Sequence, residues 1–428
     1  MRVFIGLTEI AGYFENLSEG FHLNGIACDF YDLGDHPFRY AEPRTRLLRL
    51  NRRLLKAPLL RPVRQLLKLM LLVSSLFKYD AFIFNSGKSF FNNIDLPLFK
   101  LFNKKIIYVF TGSDSRPPYI NGAVTSGYTH ESGEIDLERC MRETRGIKQR
   151  LSRIERYADY IVCNVLSAQF HSRPVVSYLH MGIPFTPREK KTVHTSREIR
   201  ILHSPSHPEA KGTAEIRAAV EKLKEEDLPV VYKEISGKPH EEVLKALSGC
   251  DLVVDQLYSD TPMAGFAAEA AGFAKPSVVG GYGWDETRRL IPRELMPPSH
   301  ICRPDDILPS LRKIVTDRVF REELGRKAHD FMEKNWASKE VAARYLRLLR
   351  EGAPEEWMYN PSEVTYVHGA CIHEDRMLGI VDMMIRRGGT GSLQLNDKPG
   401  LLTMFEELLA KAGKDNGVAG RGGGGEKC

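Results

Sequence analysis

The stretch DLVVDQLYSDTPMAGFAAEAAGFAKPSVV, residues 251–279, decides how the rest of the chain reads. A short apolar run, Leu252–Val254, ends in Asp255-Gln256, and a loop rich in turn residues follows from Ser259 to Pro262. Residues 265–274 are almost all Ala, Gly and Phe and carry one carboxylate, Glu269. Lys275-Pro276 ends that segment, because proline disfavours helix at the residue before it and has no N–H to continue the ladder. A second apolar run, 277–279, leads into Gly280, Gly281 and Gly283. Strand, loop, small-residue helix and strand make one βαβ unit. Open α/β sheets bind ligands in the crevice beyond the carboxyl ends of such strands.

The same alternation extends to both sides. Upstream, 199–203 reads as a strand and Ser204 to Thr213 as a loop. A helix follows at 214–224, a strand at 230–235 and a helix at 240–248. Lys211 is expected at the opening of helix 214–224, where free backbone N–H groups and a cation together suit phosphate. Downstream, 305–316, 319–334 and 338–350 read as helices. The chain also opens with a strand at 1–7, a loop bracketed by Gly6 and Gly12, a helix over Tyr13–Leu23 and a strand at 27–31. Strands are expected at 80–85, 105–110, 159–165 and 176–179, with a helix at 147–158. The strand 105–110 runs into Thr111-Gly112-Ser113-Asp114-Ser115-Arg116, an Asx-type turn on Asp114 whose Arg116 adds a charge the turn itself does not need.

The reading is therefore α/β: two successive Rossmann-like domains with a C-terminal extension. The expected division is 1–186, a polar linker 187–197, 198–352, an extension 353–412 with strand-like and helix-like pieces at 364–368, 377–385 and 401–409, and a disordered tail 413–428. No GxGxxG follows the first strand, so dinucleotide binding has no support.

Composition narrows the class. Apolar content of 42% and charged content of 27% fit a globular protein with a sizeable core, and a net charge of +6 is no nucleic-acid signature. The 7 cysteines are scattered and never in CxxC spacing, which points to reduced thiols in a cytoplasmic setting. The N-terminus lacks a signal-peptide layout, and no run of 18 apolar residues suggests a spanning helix. His368, His373 and Glu374 lack further ligands at metal spacing. One segment is unusual. Residues 44–79 hold 10 Lys/Arg and no acid, with leucines at helical spacing between them. The expectation is a basic amphipathic helix or helix pair, broken by Pro58 and Pro62, that lies on an anionic membrane surface. The bland alternative is a helix with one core face and one solvated basic face.

Four short motifs in this order resemble the GT-B glycosyltransferases, and most closely the large retaining group known as family 4. They are Gly112-Ser113-Asp114-Ser115-Arg116, His180-Met181-Gly182-Ile183-Pro184, Lys211-Gly212, and Glu269-Ala270-Ala271-Gly272-Phe273-Ala274-Lys275-Pro276. The resemblance covers residues 1–350 and implies two Rossmann-like domains facing across a cleft, with a nucleotide-sugar bound to the second. Lys211 would neutralise the diphosphate and Glu269 would hold the ribose. It extends the donor site to His203, Ser206, Gly212 and Gly265, with a UDP- or GDP-sugar as substrate. No cofactor and no metal are expected, since no Asp-x-Asp accompanies the motifs. Catalytic candidates are Asp114, Arg116, Asp260 and Thr261. Gly12, Gly112 and Ser113 are candidates for an acceptor or phosphate loop. Ser206 and Thr261 stand where the family carries an arginine and a first glutamate.

The implied function is transfer of a sugar to a glycan or lipid-linked acceptor in cell-surface polysaccharide synthesis, with retention, in the cytoplasm and peripherally on the inner membrane face. Nucleic acid is not an expected partner. The alternatives are a non-catalytic nucleotide-sugar-binding subunit of the same fold and a sugar-nucleotide epimerase.

Overall fold

The structure, a computed structural model, describes residues 1–33, 61–129, 133–186 and 197–419, with side chains to residue 412. The first six strands are β1 (Arg2–Leu7), β2 (Ala27–Asp32), β3 (Ala81–Asn85), β4 (Lys105–Val109), β5 (Tyr160–Cys163) and β6 (Val175–Ser177). Then come β7 (Ile199–His203), β8 (Val230–Glu234), β9 (Leu252–Val254), β10 (Ser277–Gly280), β11 (His300–Cys302) and β12 (Met358–Tyr359). They form two sheets, ordered β12-β6-β5-β4-β3-β1-β2 and β11-β10-β9-β7-β8. All neighbours are parallel except β12, which lies antiparallel on β6 with Met358 opposite Val176.

The strand sequences explain the layering. Residues 81–85 (AFIFN) are wholly buried, and so are all but the first residues of 2–7 (RVFIGL) and 105–109 (KIIYV). Continuous apolar runs of this kind belong to parallel strands covered by helices on both faces. Aromatic rings fill one side, with Phe82 and Phe99 4.7 Å apart edge to face. The second sheet has its own core around Ile201, Val220, Leu252, Val254 and Val278. Two Rossmann-like units therefore stand side by side. The loops after β1, β4 and β5 meet those after β7, β8 and β9, so the carboxyl edges of the two sheets face one cleft.

The end of the chain returns to the first unit. The helix Ser338–Arg350 packs on the helix Tyr13–Leu23, and the hydroxyls of Tyr13 and Tyr345 are 2.9 Å apart. Contact is closest at Gly20, where a Cβ would lie 2.0 Å from the Ser338 carbonyl oxygen. Gly20→Ala is therefore expected to cost about 2–3 kcal/mol through a forced backbone shift, measured by chemical unfolding. An unchanged midpoint would show that the two helices slide freely. Beyond β12, the helix Glu374–Gly388 lies against the helix Leu137–Tyr157, and Phe405 meets Tyr119 at 5.9 Å.

Several expectations change. The helix expected at 147–158, with a loop and a helix start expected in 119–145, is one helix from Leu137 to Tyr157, and Asp136 caps it by accepting from the Arg139 N–H. Pro62 breaks nothing: it sits in the first turn of the helix Arg61–Lys78, where a missing N–H is harmless. Pro58 and residues 44–60 fall outside the described residues, as do linker residues 187–196. The helix 338–350, assigned by sequence to the second unit, rests on the first. Residues 364–368 join no sheet. The last helix, Pro399–Ala419, runs into what was expected as disordered tail, and residues 420–428 lie outside the described residues. Among the described residues, no helix is long and apolar enough to cross a membrane.

Candidate active site

The cleft contains a cavity of about 220 Å³, closed on one side by Ala11 of the first unit and on the other by loops of the second. Four expected donor-site residues line it: Ser206, Lys211, Gly265 and Glu269. Gly265 opens the helix Gly265–Gly272 and nearly touches the first unit, since a Cβ on it would lie 3.3 Å from that of Ala11. Residues that sequence reasoning missed complete the wall. Pro205, Ile235, Val243 and Phe266 give it an apolar side, and Lys238 and His240 add polar groups. A positive φ of 67° at Gly237 builds the turn that brings Lys238 in, and the Ser236-Gly237-Lys238 sequence after a strand was the available signal.

Lys211 does not open the helix that begins at Thr213, as expected. It ends a single turn, Pro208–Lys211, and Gly212 with φ 70° reverses the chain behind it. Gly212 lies outside the cavity wall; a Cβ there would approach that of Leu257 to 2.6 Å. The ammonium of Lys211 donates to Gln256 Oε1 at 2.6 Å and lies 3.5 Å from the buried carboxylate of Asp255. The end of β9 thus aims this cation. Glu269 lies 2.6 Å from Nε2 of His240, which fixes one carboxylate oxygen and leaves the other for a ligand.

His203 is removed from the donor set. It is fully buried, with Nδ1 2.8 Å from the Val254 carbonyl and Nε2 2.9 Å from the Thr213 hydroxyl. A carbonyl only accepts, so Nδ1 carries a proton and donates to Val254, and in the neutral ring that burial favours Nε2 accepts from the Thr213 hydroxyl. Burial lowers its pKa below the usual 6.5. A lowered histidine stabilises the fold above its unfolded value and loses that contribution as pH falls through its folded value. Stability is therefore expected to drop below about pH 6.5. His203→Phe should flatten that part of the pH profile in denaturant titrations, and an equally steep profile in the variant would count against the assignment.

The catalytic candidates behave differently from expectation. The Asp114 carboxylate faces its own turn, accepting from the Thr111 and Gly112 N–H groups at 3.1 Å each. Burial pushes its pKa up. It builds the loop and does not face the cavity. Arg116 and Asp260, 144 residues apart in sequence, meet across the cleft in a buried ion pair, being 3% and 6% exposed. Burial works against the guanidinium's charge, but Asp260, by charge and hydrogen bond, leaves it held above its ordinary value. The Asp260 carbonyl also accepts from Asn164 at 2.8 Å. Thr261 is turned inward on its loop, with its N–H 3.2 Å from Ser259 Oγ. Gly12, with φ 77°, caps the helix Tyr13–Leu23 beside Ala11. Gly112 packs against the Arg116 guanidinium, and the Ser113 carbonyl accepts from Asn121 at 3.1 Å, so neither lines the cavity.

The C-terminal extension also enters the cleft, which sequence gave no sign of. Ala370 exchanges backbone hydrogen bonds with Ile120 and Gly122 of the first unit, each 3.0 Å, while the Cys371 N–H donates to Tyr258 of the second at 2.7 Å. His368 pairs with Glu374 at 2.5 Å, which lowers the Glu374 pKa. Among the described residues, no group of three metal-ligating side chains occurs.

Chemically, the cavity suits a nucleoside diphosphate. Its apolar side can hold a base, Glu269 can accept from vicinal hydroxyls, and Lys211 and Lys238 can meet phosphate oxygens. No family model matches the chain, and no curated protein matches its sequence. Among solved structures, it is similar to sucrose-phosphate synthase of Thermosynechococcus elongatus, with TM-score 0.47, 14% identity, and 82% of this chain and 99% of that one covered. It is also similar to HepE of Anabaena, solved with UDP and glucose, with TM-score 0.48, 10% identity, and coverage of 82% and 99%. The glycosyltransferase SnogD of Streptomyces nogalater gives TM-score 0.41, 13% identity, and coverage of 81% and 100%. At these values the likenesses bear on neither substrate nor mechanism.

Proposed function

We propose that the protein is a glycosyltransferase that binds a nucleotide-sugar in this cavity and transfers the sugar to a glycan or lipid-linked acceptor. The observation that carries the reading is the placement of Lys211 and Glu269 in one cavity at the carboxyl edge of the second sheet, closed by Ala11 of the first. A departing nucleoside diphosphate develops negative charge, which a preorganised lysine stabilises more than it stabilises the bound donor. Retention of configuration, a UDP- or GDP-linked donor, metal independence and a role in cell-surface polysaccharide synthesis complete the proposal.

The test is a donor panel read by thermal shift, with turnover followed for each UDP-, GDP- and ADP-sugar that binds. A donor that stabilises the protein and loses its sugar when membrane extract supplies acceptor is the expected result. Failure of every donor to bind would refute the reading. A second reading, a non-catalytic nucleotide-sugar-binding protein, draws on the Arg116–Asp260 pair and residues 370–371, both of which bridge the two units. Binding without hydrolysis or transfer would select it. Conversion of the free donor to an epimer, with no acceptor present, would select neither.

A further inference from the structure

The helix Arg61–Lys78 is apolar on two sides. Leu71, Leu72 and Leu76 face the core, as a surface helix requires. Leu66, Leu69, Met70, Val73 and Phe77 form a second stripe at helical spacing, each 46–74% exposed. A neighbouring segment extends this face: Ile94, Leu98, Leu101 and Phe102 are 38–78% exposed. The two segments are continuous. Phe77 meets Phe102 edge to face at 5.4 Å, and Leu66 and Leu69 share a trough of about 540 Å³ with Ile94 and Leu98. With Val63, this one face holds ten of the fifteen large exposed hydrophobic side chains among the described residues. Isolated apolar side chains on a surface are ordinary, whereas a contiguous plateau of them marks a surface that something covers.

The charges indicate what covers it. The helix carries Arg61, Arg64, Lys68 and Lys78 and no acid, and Lys100, Lys104 and Lys105 border the second segment, whose one acid, Asp95, is buried. Lys78 and Lys100 already pair with Asp29 and Asp159, so Arg61, Arg64, Lys68, Lys104 and Lys105 make the cationic edge. A second copy of the chain docked face to face would bring like charges together around the apolar centre. An anionic bilayer offers hydrocarbon to the plateau and phosphate to its cationic edge. We infer that this face of the first unit, made by Arg61–Lys78 together with residues 94–102, lies on the interfacial zone of an anionic membrane. The plateau inserts between head groups and the lysines and arginines sit at phosphate level. The sequence pointed only to the basic stretch; the apolar partner segment 94–102 comes from the fold. Such docking would hold the proposed transferase against the cytoplasmic leaflet without depending on its chemistry.

The test uses the full chain and sedimentation with two kinds of vesicle, phosphatidylcholine alone and phosphatidylcholine mixed with phosphatidylglycerol. The protein should pellet with the mixed vesicles and remain soluble with the neutral ones. Leu66→Gln/Leu69→Gln/Leu101→Gln and Arg64→Glu/Lys68→Glu should each reduce binding by at least about 10-fold. None of these side chains lines the cavity, so both variants should keep the parent's response to donor. Binding to neither vesicle, or binding that both variants leave unchanged, would overturn the inference. So would a dimer in sedimentation velocity that the leucine variant dissolves, since the plateau would then be a subunit interface.

Discussion

Lys211→Ala is expected to weaken nucleoside-diphosphate binding by roughly 100-fold, the equivalent of about 2–3 kcal/mol for a hydrogen bond to a charged group. The side chain reaches the cavity from the end of a helical turn and is aimed by Gln256 and Asp255. Its removal has two consequences that must be separated. It takes a cation from the phosphate position, and it leaves the Asp255 carboxylate, 1% exposed, without its counter-charge. The second effect lowers the midpoint of the ligand-free protein; the first lowers the further shift that a donor produces. The prediction concerns the further shift. Glu269→Ala should reduce it as well, while sparing the response to inorganic pyrophosphate, which has no ribose for Glu269 to hold. A variant at Lys211 that responds to donor as strongly as the parent would remove this lysine from the site.

Asp260→Ala should cost about 3–5 kcal/mol, the loss associated with stranding one member of a buried ion pair. Arg116 would keep its charge in a place that is 3% exposed, with its Nε already lacking a partner. Replacing both groups by apolar side chains, Arg116→Met with Asp260→Leu, should recover most of that loss, because desolvation of two charges offsets much of their attraction. Equilibrium unfolding of the three proteins supplies the comparison. The pair spans the two units, so its response also reports on the cleft. A loss below about 1 kcal/mol for Asp260→Ala would match a solvated pair, and the cleft would then stand open in solution.

Much of the fold was legible because its signals are local. The strands β7, β9 and β10 and the small-residue helix between the last two follow from apolar runs and from Pro276, whatever the rest of the chain does. Lys211 and Glu269 were legible for the same reason: each sits at a fixed offset from a strand end. Other features depend on contacts between distant residues. His203 had the look of a ligand, and only the approach of Val254 and Thr213 shows both of its nitrogens engaged. Arg116 and Asp260 were singled out separately, and nothing in either motif announces the other. His240 reaches Glu269 because β8 and β9 lie on either side of β7, a fact of sheet order. Residues 370–371 carry no pattern that would send them into a cleft between two domains.

The antiparallel strand β12 has a consequence for how the molecule comes into being. It adds to a sheet whose other strands end at Ser177, and the core behind that sheet includes Val3, Tyr119, Leu393 and Phe405. The unit that begins first is therefore completed last, whereas every strand of the second sheet has been made by Cys302. During synthesis, the inserted unit can close its sheet while the outer one still waits for its edge strand and its final helix. Until they arrive, β6 presents an unpaired edge and the aromatic interior lacks part of its cover.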